Sequence, residues 1–123
     1  MTSRPVADLL VTLAEPTRLR IVNCLSAAPL FVSDLSSILG IPQAAVSEHV
    51  TVLERTGVVR SYDVIPYVLY ALAPLADARD RLLRSVLDAV RGDPAALGDR
   101  SAAFERSRSR LETRVGAATV VNA

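Results

Sequence analysis

Gln43, Ala44, Ser47, Glu48 and Thr51 share one side of a helical repeat, and they are the residues of this chain best suited to reading a polar surface. They lie in the stretch Gly40 to Gly57, GIPQAAVSEHVTVLERTG. An amide such as that of Gln43 can pair with an adenine edge, and the Ser47 and Thr51 hydroxyls can pair with a base or a phosphate. Glu48 can accept from a cytosine amino group, although it also repels phosphates. Small side chains such as Ala44 let the helix approach closely. Arg55 and Arg60 follow as the nearby cations, and His49, the only histidine, lies at i+3 from Val46 and borders the apolar stripe of the same helix. The chemistry is that of a helix entering a DNA major groove. An ordinary solvated helix face has the same composition.

The opposite side of this helix carries Val46, Val50 and Leu53 at i, i+4 and i+7, which predicts a buried stripe. Gly40 suits the left-handed end of a preceding helix, and Pro42 suits a first helical position. Together they describe the second half of a helix-turn-helix over about 42–56. Upstream, apolar spacing predicts helices at about 5–14 and 17–27, broken at Glu15-Pro16-Thr17. A short helix is expected at 34–39, with Ser33 as its N-cap and Asp34 in its first turn.

Beyond Gly57 the period changes. VVRSYD (58–63) and YVLYAL (67–72) are rich in β-branched and aromatic residues, and Val64-Ile65-Pro66 lies between them. Two such runs predict a hairpin. The fold class is therefore mainly α with one β-hairpin wing, a winged helix-turn-helix. After Pro74, Leu75, Leu82, Leu83, Val86, Leu87 and Val90 trace an amphipathic helix that ends near Gly92. The earlier helices already satisfy a small core, so this helix suggests a dimer surface, joined by Leu9 and Leu10 of the first helix. Packing on its own domain is the alternative. The domain is expected over 1–92, and 93–123 is expected as an Arg-rich extension, a weak helix or disordered. Phe104, Leu111 and Val115 would line that helix. Residues 100–114 hold five arginines against two glutamates, net +3, fit either for phosphates or for solvent.

The totals narrow the function. The chain has 123 residues, 50% of them hydrophobic, enough for one domain with a real core. Its 14 basic residues are all arginine, and the net charge is only +1. A single cysteine, Cys24, excludes an intramolecular disulfide and a Cys-cluster zinc site. Cys24 falls where the pattern wants a core residue, so a thiol-sensing role competes with an inert buried thiol. The five glycines are scattered without a phosphate-cradling motif, and one His and one Cys on separate helices make a poor nucleophile pair. No enzyme activity or cofactor is expected. No membrane span and no secretory signal are apparent, so a cytoplasmic protein is expected.

The runs LAEPTRLRIVNCL (13–25), SDLSSILGIPQAAVSEHVTVLERTGVV (33–59) and YVLYALAP (67–74) resemble the ArsR/SmtB-type winged-helix repressors. Pro16-Thr17-Arg18-Leu19 and Ser47-x-His49 are the more specific parts. The resemblance implies homodimers that sit on palindromic double-stranded DNA operators and leave when an inducer binds. No residue set here identifies a small-molecule inducer. It also implies that Gln43, Ser47 and His49 lie at or near DNA, a half-buried His49 being the alternative. Thr17 and Arg18 become phosphate contacts through backbone N–H groups and the guanidinium. For Arg18, a salt bridge to Glu15 or Asp34 is the alternative.

Two departures from the family stand out. The Cys-x-Cys pair common in its metal responders is replaced by Phe31-Val32-Ser33, and the helix bearing Asp77, Asp80 and Asp88 has no histidine. Carboxylates alone suit zinc poorly, so metal sensing by those sites is not expected. The wing is also short of cations. Over residues 43–63, two arginines face three carboxylates, and the Val64-Ile65 tip is apolar. Phosphate binding dominates DNA affinity, so a weaker binder, or a protein-interaction module, is the competing expectation.

Overall fold

The computed structural model describes residues 4–122, with side chains described as far as residue 110. In chain order the elements are α1 (Arg4–Leu13), α2 (Pro16–Leu25), β1 (Leu30–Phe31), α3 (Val32–Leu39), α4 (Gln43–Arg55), β2 (Val59–Val64), β3 (Tyr67–Leu72), α5 (Asp77–Val90) and α6 (Pro94–Asn122).

α2 organises the rest. It opens with Pro16 in the first turn, where no backbone donor is lost, and Glu15 caps it by accepting from Arg18 N–H at 2.8 Å. Five consecutive residues, Ile21 to Leu25, are buried. Five successive helical positions sweep more than a full turn, so α2 must be covered on every side. α1, α3 and α4 cover part of it, and α6 covers the rest. The small side chains of Ala96 and Ala103, buried seven residues apart, bring α6 close to this core. Asn23, almost fully buried, donates to the Ala96 carbonyl at 2.9 Å and accepts from Arg100 at 3.0 Å. Arg20 and Asp99 close the outer edge at 2.9 Å.

The segment expected as a weak or disordered extension thus starts as a helix at Pro94, and Ala103 belongs to the same core as α2. Of the apolar line expected for it, only Phe104 lies among the described side chains. Phe104 is exposed, and the alanines face inward. Leu111 and Val115, with Arg114 and Glu112, lie outside the described side chains.

α3 and α4 form the helix-turn-helix. Gly40 ends α3 at φ 70°, a left-handed conformation that costs glycine little. Val46, Val50 and Leu53 are fully buried, as their spacing predicts. Pro42 stands one position earlier than expected, as the N-cap of α4. Ser33 is not the N-cap of α3. The helix starts at Val32, and Asp34 reaches back to accept from Phe31 N–H at 2.9 Å. Chain entry is set two residues earlier because Leu30 and Phe31 pair as β1 with Tyr70 and Leu69 of β3. The sheet runs β1-β3-β2. Its hairpin is tighter than expected, since Val64 pairs with Tyr67 and only Ile65 and Pro66 turn.

Candidate nucleic-acid interface

Burial of one α4 stripe fixes the direction of the other. Gln43, Ala44, Ser47, Glu48 and Thr51 are all exposed, as are Arg55 and Arg60. Thr51 Oγ1 donates to the Ser47 carbonyl at 2.8 Å, so this hydroxyl is already engaged with its own helix. The wing is tied to α4 by Ser61, which donates to Glu54 at 2.6 Å. Ile65 at the hairpin tip is 92% exposed, with Tyr62, Tyr67 and Val68 exposed beside it.

Thr17, Arg18 and His49 stand apart from this face. Thr17 and Arg18 are half-buried, and the Arg18 backbone donor is taken by Glu15. The Arg18 Nε donates to the Thr12 carbonyl at 2.6 Å, which closes the end of α1. Neither of the salt bridges considered for it forms among the described residues; its guanidinium serves a backbone oxygen instead. The anion at the start of α2 is the protein's own Glu15. Burial raises the Glu15 carboxyl, but the Arg18 and Thr17 N–H groups and the nearby His49 and Arg18 charges outweigh it and hold the group below its ordinary value. His49 Nδ1 lies 3.7 Å from Glu15 Oε2, so this imidazole is half-buried against the α2 cap.

The residues expected at a dimer surface divide. Leu9 and Leu83 are buried in the protomer's own core, because α1 and α5 pack on each other through these side chains and the core beneath. They are not available to a partner. Leu82, Val86 and Leu87 are partly buried at the core's edge, Val90 is half-buried, and Leu10 is exposed. Val11, passed over in the sequence reading, is 71% exposed beside Leu10.

Cys24 is fully buried, and its thiol is pushed up to about 12 by burial, with the Asp99 charge adding and Arg20 opposing. A thiol held protonated and out of reach is a poor sensor. Among the described residues, no group of three or more His, Cys, Asp or Glu side chains could hold a metal ion. No described helix is long and apolar enough to cross a membrane.

The sequence reading missed the cluster around Asp34. This carboxylate, 7% exposed, accepts from Phe31 N–H, from Arg106 at 3.4 Å and from Arg110. Arg106 also donates to Ser37, and Arg110 stacks over the Phe31 ring at 4.6 Å. The arginine surplus of 100–114 was visible, but its partner, 72 and 76 residues upstream of Arg106 and Arg110, was not.

Helices α2 to α4, a three-stranded sheet and an exposed polar face on α4 define a winged helix-turn-helix protein. Comparison with known proteins agrees. Residues 15–61 match the model of the bacterial regulatory protein, arsR family. The HTH-type transcriptional regulator NmtR of Mycobacterium tuberculosis is 43% identical over 68 residues, 53% of this chain and 57% of the relative. The HTH-type transcriptional repressor SmtB of the same organism is 39% identical over 83 residues, 68% of this chain and 58% of the relative. The chain thus matches under two thirds of the length of these relatives. Among solved structures, HlyU from Vibrio cholerae superposes with a TM-score of 0.64 at 28% identity, covering 72% of this chain and 94% of that one. The helix-turn-helix of this chain is thus of the arsR-family type, and the chain is similar to ArsR/SmtB transcriptional regulators.

Proposed function

We propose that this protein is a sequence-specific DNA-binding regulator, a repressor acting as a homodimer without the family's usual metal ligands. The observation that carries this reading is the division of α4. Three residues anchor it completely in the core, and five small or polar residues are left outward on a helix of an arsR-family helix-turn-helix. In this reading Gln43 and Ser47 contact base edges and Arg55 and Arg60 contact phosphates. The exposed Leu10 and Val11 on α1, with the half-buried apolar row of α5, supply the partner surface.

The test is selection of duplexes from a random pool by the purified chain. Enrichment of a palindromic sequence is expected, since two-fold protein symmetry imposes a two-fold site. A pool that stays random contradicts the reading. That outcome would favour a second one, a protein-interaction module, which the 92% exposure of Ile65 at an apolar wing tip supports.

A further inference from the structure

The groove between α4 and the wing contains a cation that neither element supplies. It has a volume of about 850 Å³ and is lined by Gln43 and Ser47 of α4, Tyr67 of the wing, Phe31 and Asp34 at the start of α3, and Arg110 of α6. In a docked winged helix, the phosphate strand runs between the groove-reading helix and the wing, so this is where a cation for phosphate has the most effect. The wing's own tip offers none: from Ser61 to Leu72 the only ionisable groups are Asp63 and tyrosines.

We propose that α6 supplies the cation that the wing tip lacks, with Arg110 binding the DNA phosphate strand beside Gln43 and Ser47 and Arg106 sharing its carboxylate. This rests on the DNA-binding reading above. The two guanidiniums share one buried carboxylate, so among these three side chains one positive charge is left over. Both remain accessible, Arg110 at 30% and Arg106 at 43% side-chain exposure. Both are also pre-oriented. Asp34 holds them from below, Phe31 supports the Arg110 plane and Ser37 accepts from Arg106. A guanidinium fixed in this way loses little freedom on meeting a phosphate. Asp34 therefore has two tasks, capping α3 and holding Arg110 at the groove.

The test is the salt dependence of binding to a labelled duplex of random sequence, which reports phosphate binding without base reading. Arg110→Gln should make the slope of log K against log salt shallower by about 0.9, the value for one phosphate fewer neutralised, and Arg106→Gln should act in the same sense. Arg110→Lys should keep the slope. Removing Arg110 leaves Asp34 paired with Arg106 and capping α3, and urea denaturation of both glutamine variants in parallel checks that each stays folded. An unchanged slope in both folded glutamine variants, with the unaltered chain still binding, overturns the role of α6 and leaves α4 as the reader. Failure of the unaltered chain to bind any duplex at low salt overturns both readings.

Discussion

The outward face of α4 and the inward face of α6 are both polar strips on helices, yet they hold their side chains in opposite ways. On α4, Gln43, Ser47 and Glu48 are exposed, and no described tertiary hydrogen bond engages them. On α6, Arg100, Arg106 and Arg110 reach across to Asn23, Ser37 and Asp34. Uncommitted polar groups can be exchanged for a partner's without breaking the fold. Committed ones stabilise the fold and gain direction from it. Substitutions on α4 should therefore change binding alone, and those on α6 should change stability as well.

The largest effect is expected at Asp34. Asp34→Ala removes the partner of two arginines and the cap of α3 together. Breaking a buried charge pair from one side costs about 3–5 kcal/mol, less where the arginines reach water, so a loss of about 2–4 kcal/mol is expected by urea denaturation. A loss below about 1 kcal/mol would show that the contacts of α6 with α2 suffice to hold it.

Glu15 gives a smaller effect with a pH signature. Glu15→Ala should cost about 1 kcal/mol near neutrality through loss of the α2 cap. The folded carboxyl lies below its ordinary value, so its contribution is present above the unfolded pKa and disappears as pH falls through the folded one. The stability difference between Glu15→Ala and the unaltered chain should close in acid. A gap that persists there would assign the effect to packing.

The smallest effect is expected at Cys24. With its thiol buried and pushed up to about 12, it should react with a thiol reagent in the native state only as fast as the protein opens. Rapid labelling without unfolding would make it a sensor candidate again.

Much of this fold was legible because local rules agree with the tertiary outcome. The stripe Val46, Val50 and Leu53 and the left-handed Gly40 are decided within a few residues, and the structure has them as read. What was missed depends on distance along the chain. β1 is two residues long and exists only because β3 lies beside it. The seat of α6 depends on Ala96 and Ala103, and alanine gives no periodic hydrophobic signal of its own. The burial of Leu9 and Leu83 follows from α1 meeting α5, whereas amphipathicity shows only that a helix has an apolar side. The Arg-rich run looked the same as a solvated face until Asp34 was placed beneath it.

The most direct test of the α4 assignment is fluorescence anisotropy on a duplex enriched by the unaltered chain, comparing it with the Gln43→Ala/Ser47→Ala variant. Both side chains are exposed, so unfolding free energy should change by less than about 0.5 kcal/mol. Affinity for the enriched duplex should fall by about 1–3 kcal/mol for each base edge that is no longer read, while binding to a scrambled duplex stays the same. Equal affinity of variant and unaltered chain for the enriched duplex would contradict the assignment of α4 as the reading helix.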